Sequence, residues 1–260
     1  MKKIIVTLLC LVLVLSVFSG CSSGPAKSDL ESVKANGKLI VGVTDFAPMD
    51  YRDANGNWIG FDADMASAFA KSLGVEAEFI EIEWDNKAME LDGKTIDCVW
   101  NGMTLNEEVQ AAMDCSEAYC NNAQVVIVKK DVANKYKTAD DCKNLKFAVE
   151  VGSAGKKQAE ERGFDFTEVK DQATALTEVK SGTSDAAIID SLMAAAMVGE
   201  GTGYADLTYT ASLNSEEYVV GFRKGSDMVN ALNEFLKASI KDGTSQTIAE
   251  KYDVQAALVK

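Results

Sequence analysis

The chain alternates short apolar runs with amphipathic stretches, and the spacing of the apolar positions separates strands from helices. Lys38 to Thr44, "KLIVGVT", is a β-rich apolar run, and Asp53 to Asn57, "DANGN", carries turn chemistry. Asp62 to Val75, "DADMASAFAKSLGV", predicts a helix: acidic residues open it, Met65, Ala68, Phe69 and Leu73 recur at helical spacing, and Gly74 stops it. "EAEFIEI" then alternates as a strand does. Strand, helix and strand in that order predict a right-handed βαβ unit in a parallel sheet, and so an α/β fold.

The layout recurs. Met89 to Gly102, "MELDGKTIDCVWNG", and Leu176 to Ser191, "LTEVKSGTSDAAIIDS", both run from a helix end through a glycine and an aspartate into a buried strand. Asp97 and Asp185 hold the same place in each, where a carboxylate accepting backbone N–H bonds suits the handover from helix to strand. Two similar α/β units imply two similar lobes. "AQVVIVKK", Ala123 to Lys130, leads from the first to the second, and "EYVVGFRKG" returns before two C-terminal helices. The chain is therefore expected to cross twice, near Gln124 and near Tyr218, giving a first lobe over 38–123, a second over 124–218 and a return to the first over 219–260.

The N-terminal pattern is different in kind. Two lysines precede the apolar run "IIVTLLCLVLVLSVF", with small residues before Cys21, which predicts a signal peptide over 1–20 and not a fold element. "FSGCSSG" resembles a lipobox, with Phe18 where leucine is usual, and implies lipidation at Cys21 and a polar tether over 21–37. The run is shorter than the ~20 residues a spanning helix needs, and no later stretch is apolar enough.

Composition narrows the partners. The chain carries 26 basic and 40 acidic residues, a net charge of −14. Such a surface excludes nucleic acid as a natural partner, since phosphate demands the opposite sign. With no His and no CxxC pair, a metal centre is not expected. Cys98, Cys115, Cys120 and Cys142 remain after Cys10 and Cys21 are set aside. Export permits a bridge, Cys115 to Cys120 or Cys120 to Cys142, though small buried thiols are the simpler expectation.

In order along the chain, "GFDADMASAFAKSLG", "IDCVWNGMTLNEE", "MDCSEAY", "AVEVGSAG", "SDAAIID" and "DGTSQTIAEKY" resemble the amino-acid-binding class of bacterial extracellular solute-binding proteins that feed ABC importers. The likeness runs from Lys38 to Tyr252. It implies a two-lobed periplasmic-binding-protein-like fold (type II) with two crossing hinge strands, no cofactor, a monomeric body, a small polar ligand and a permease partner. It also implies a ligand site. Asn101, Gly102 and Thr104 would offer backbone N–H groups and a hydroxyl donor to an α-carboxylate, Ser153 and Ala154 would repeat the device in the second lobe, and Asp190 would pair with an α-ammonium. Trp84, Phe46 and the adjacent Asp45 would line the cleft, and Glu150 would face it.

Val109 stands where this family most often has an arginine that grips the ligand carboxylate with two parallel bonds. Arg52, Arg162 and Arg223 are the only arginines, and none falls at a matching place. Three explanations follow: an amino acid held by backbone N–H groups or helped by a lysine, a cationic amine held by Glu150, Asp190 and an aromatic face, or a local slip in register. Two further classes share the scaffold. A cyclohexadienyl-dehydratase-like enzyme would use Glu150 as its acid, and a sensor would need a separate output protein.

Overall fold

The computed structural model describes residues 28–259. The expected signal peptide, Cys21 and residues 22–27 of the expected tether lie outside them. Residues 29–36, assigned above to the tether, instead form helix α1 (Asp29–Asn36), started by a reciprocal capping box between Ser28 and Glu31 and ended by Gly37 in the left-handed conformation. Its Asp29 pairs with Arg223 at 3.1 Å and the Leu30 N–H donates to Asp227, so α1 is fastened to the C-terminal part of the first lobe. The S-x-x-E signature at 28–31 was the legible sign of it.

Strand β1 (Lys38–Val43) is followed by the small hairpin β2 (Tyr51–Arg52) and β3 (Trp58–Ile59), whose turn is held by Asp53 accepting N–H bonds from Asn55 and Asn57. Helix α2 (Phe61–Leu73) buries Phe61, Met65, Ala66, Phe69 and Ala70 on one face and stops at Gly74, φ 80°. Strand β4 (Glu76–Glu81) then lies parallel to β1, which completes the predicted βαβ unit. Burying a side chain such as Phe69 contributes about 1.5–3 kcal/mol, and this one-sided stripe is what seats α2 on the sheet.

The first lobe continues with α3 (Lys87–Asp92), β5 (Cys98–Thr104), α4 (Glu107–Ala112), β6 (Asp114–Cys115) and β7 (Cys120–Asn122). The second holds β8 (Gln124–Lys129), β9 (Lys146–Glu150), α5 (Ala154–Arg162), β10 (Asp165–Val169), α6 (Gln172–Ser181), β11 (Ala186–Asp190), α7 (Ser191–Met197) and β12 (Leu207–Ser212). The chain returns through β13 (Glu216–Phe222) to α8 (Met228–Asp242) and α9 (Thr244–Lys251).

Besides the β2-β3 hairpin, two large sheets result, ordered β4-β1-β5-β13-β6 with β7 beside β13, and β10-β9-β11-β8-β12. Each has a parallel core with one antiparallel strand inserted next to its third member: β13 beside β5, and β8 beside β11. The sheet changes at Ala123, between β7 and β8, and again between Ser212 and Glu216. The second crossing therefore lies upstream of the expected point, because Tyr218 already pairs with Thr104 in the first sheet. An apolar run suits either sheet, so its pattern alone does not mark where the chain changes lobes.

Asp97 and Asp185 do the same job in the two lobes. Asp97 accepts the Ile40 N–H at 2.9 Å and Asp185 the Lys146 N–H at 3.0 Å, each joining the start of one strand to its parallel neighbour. All four cysteines of the described residues are free thiols, with Cys98, Cys120 and Cys142 buried and Cys115 half-buried, so neither bridge is present. Among the described residues no three His, Cys, Asp or Glu side chains cluster as metal ligands, and no helix is long and apolar enough to cross a membrane.

Candidate functional site

A cleft of about 480 Å³, counting the part open to solvent, lies between the two sheets at the C-terminal ends of β1, β5, β9 and β11. Asp45, Phe46, Trp84, Asn101, Gly102, Thr104, Glu150, Ser153, Ala154 and Asp190 all line it. So do Thr44, Lys87, Met103, Asn106, Val109, Gly152, Gln172 and Met193. The lobes touch along its mouth, where Lys87 Nζ of the first lobe donates to the Gly152 carbonyl of the second at 3.3 Å.

The acidic wall belongs to the second lobe. Asp190 ends β11 and occupies the N-cap position of α7, yet its side chain caps nothing. Oδ1 instead accepts from Asn122, from Gln124 at 3.0 Å and from the Tyr218 hydroxyl at 2.7 Å. Oδ2 accepts from Gln172 alone, which leaves it room for another donor. Burial and then the charge of Glu216 push the Asp190 carboxyl up to about 7. Glu150, at the end of β9, is buried with only a 3.4 Å bond from Gln172, and burial followed by the charge of Asp190 raises it to about 8. Two acids that resist losing their protons in an enclosed site favour an arriving cation, which would offset both the burial and the mutual repulsion.

The first-lobe residues are committed differently from the sequence expectation. The Gly102 N–H is not free for an anion, since it donates to the buried Asp62 at 2.7 Å. A Cβ at Gly102 would lie 2.4 Å from Phe46 Cε1, and φ is +55°, so glycine here admits the Phe46 ring rather than leaving open room for a ligand. Asn101 is a brace: its side chain accepts from the Thr44 N–H and hydroxyl and donates to the Thr44 carbonyl and to Asp50. The Thr104 hydroxyl, expected as a donor to the ligand, already donates to Glu216 at 2.8 Å and faces the cleft as an acceptor. Asp45 is raised by burial and then by the charge of Asp171.

The anion-favouring device survives in the second lobe. Ser153 caps α5 by accepting the Lys156 N–H at 3.1 Å, worth about 1 kcal/mol to the helix. The Ala154 and Gly155 N–H groups find no protein acceptor among the described residues. Across the mouth, Val109 packs in an apolar cluster with Trp84 and Met113, and the cation of the cleft is Lys87, whose Nζ lies 4.6 Å from the Trp84 ring centroid. Neither Lys87 nor Gln172 was foreseen. A lysine within "WDNKAMELD" reads as a solvated helix residue, and nothing in its own segment announces that it faces another lobe.

Residues 39–255 match the bacterial extracellular solute-binding proteins, family 3. The chain belongs to this family. It is 32% identical over 227 residues to the L-cystine-binding protein TcyJ of Escherichia coli (strain K12), covering 86% of this chain and 85% of that protein. A mutant of ArgBP from T. maritima superposes with a TM-score of 0.81 at 32% identity, covering 86% of this chain and 98% of that one. The ancestral amino acid-binding protein AncCDT-1, a precursor of cyclohexadienyl dehydratase, gives 0.80 at 34% identity over 86% of this chain and 99% of that one. The two-lobed family 3 architecture thus accounts for the double crossing.

Proposed function

We propose that this protein is a lipid-anchored extracellular solute-binding protein that captures an amino acid between its lobes and delivers it to an ABC transporter permease. The observation that carries this reading is the charge layout of the cleft: Glu150 and Asp190 on the second lobe, and Lys87 at the seam with the first. An acidic wall with one cation at the mouth suits a zwitterion better than a simple anion or a simple cation. The ligand's α-ammonium binds Asp190 Oδ2 and the acceptor face of the Thr104 hydroxyl. Its carboxylate lies at the amino end of α5, toward the open Ala154 N–H.

Ligand contacts to both lobes favour the closed arrangement, and release to the permease follows reopening. The lipobox at Cys21 supports the anchor, and the cystine- and arginine-binding names of relatives support an amino acid as cargo. Calorimetry against the twenty amino acids and cystine tests the reading. Saturable binding of at least one is expected, and silence from all of them would sink it.

A dehydratase has one observation on its side, the buried Glu150 raised to about 8. A substrate with two carboxylates would meet a cleft lined by three acids, Asp45, Glu150 and Asp190, and by one basic residue among those described, Lys87, which disfavours it. Turnover of prephenate or arogenate, followed by absorbance, would reverse this preference.

A further inference from the structure

We infer that Lys87 is the specificity residue that makes the cleft select a ligand carrying a carboxylate. The inference rests on the amino-acid reading above and says which group enforces it. Among the described residues Lys87 is the only basic side chain lining the cleft, and without it a carboxylate would enter a site walled by Glu150 and Asp190.

Its geometry leaves it available. Nζ donates to the Trp84 carbonyl at 3.1 Å and to the Gly152 carbonyl at 3.3 Å. An ammonium has three N–H donors, so one remains. Among the described residues Lys87 has no ion-pair partner. The Gly152 carbonyl places Nζ two residues before Ala154, whose N–H is open. A carboxylate there would receive a charged donor from the first lobe and a backbone donor from the second, which ties binding to closure.

The alternative use of this site, a carboxylate-free amine stacked on Trp84, is opposed by the same residue. Nζ already covers the Trp84 ring at 4.6 Å, and a second cation would meet both its charge and its bulk. Burial lowers the Lys87 pKa, with Glu108, Glu150 and Asp85 acting the other way, so an incoming carboxylate would stabilise its charged form.

Calorimetry on matched pairs tests this: L-arginine with agmatine, L-lysine with cadaverine, L-histidine with histamine and cystine with cystamine. The wild-type protein should prefer the amino acid in the binding pair by at least about tenfold, as expected for one charge-assisted bond. In Lys87→Met that preference should vanish, through weaker binding of the amino acid with the amine unchanged or tighter, while Lys87→Arg should keep it. A structural role alone would weaken both members equally, and that result overturns the inference, as does a Lys87→Met protein that binds the amino acid as tightly as wild type. Wild-type binding of an amine with no amino acid bound would overturn the amino-acid reading together with it.

Discussion

The Cβ that Gly152 lacks would lie 2.5 Å from Oδ1 of Asp85 and 3.1 Å from its Cα, across the seam between the lobes. Gly152 also sits at φ +67°, where a side chain is strained by roughly 1 kcal/mol. Gly152→Ala should therefore hold the seam apart. Expected is a drop in ligand affinity of about tenfold or more, with small-angle scattering showing less compaction on saturation than in wild type. Unchanged affinity and full compaction would mean that this contact does not accompany closure.

Asp190 Oδ2 accepts from Gln172 alone, while its other oxygen is filled by Asn122, Gln124 and Tyr218. Asp190→Asn removes the charge at nearly constant volume. Loss of one charged hydrogen bond, ~1.5–3 kcal/mol, corresponds to roughly ten- to hundredfold weaker binding of an amino acid. Circular dichroism confirms that the variant is folded; a folded variant with wild-type affinity would remove Asp190 from the site.

Glu150 and Asp190 are raised in the folded protein to about 8 and about 7, chiefly by burial. The folded state therefore keeps protons that the unfolded chain releases near pH 4. The stability these two groups contribute is complete below their unfolded values and is lost as pH rises through about 7 and 8. Urea unfolding at pH 6 and pH 8 should show wild type losing up to about 1.4 kcal/mol per pH unit for each such proton, and Glu150→Gln losing less. Binding of a ligand ammonium should strengthen over the same interval, with proton release visible as a buffer-dependent heat. An affinity that falls as pH rises from 6 to 8 would contradict the acidic wall as the ammonium site.

Burial raises the thiol pKa of Cys98, Cys120, Cys142 and the half-buried Cys115. Thiolates react and neutral buried thiols do not. A protein beginning at Ser22 should release little chromophore from an aromatic disulfide reagent at pH 8, with Cys115 the slow exception, and about four equivalents once unfolded. Dithiothreitol should leave its melting temperature unchanged. Fewer than four equivalents without reductant would reveal a bridge absent from this structure.

Much of the fold was legible because it is written locally. Helix α2 shows its buried stripe and its stop at Gly74 within fourteen letters, and the Asp97 and Asp185 handovers repeat the same short phrase. The ten cleft residues expected from the family resemblance share one cavity: Asn101, Gly102, Thr104, Glu150 and Asp190 lie in the last residues of strands, and the others in the segments that follow strands. What each of them does there was less visible. Gly102 gives its N–H to Asp62, forty residues away, and Thr104 gives its hydroxyl to Glu216, more than a hundred residues on.

The first βαβ unit, the acidic surface and the absence of an arginine at 109 were thus settled by the amino-acid sequence alone, since each depends on near neighbours or simple counting. The partners of buried polar groups such as Asn101, Gln172 and Asp190 were settled only by the tertiary structure. Lys87 shows the difference: its letter promises a solvated cation, but the approach of Gly152 from the other lobe draws it into the cleft. Desolvation and hydrogen bonding act through space, and the residues that decide them lie in segments whose meeting no local pattern records.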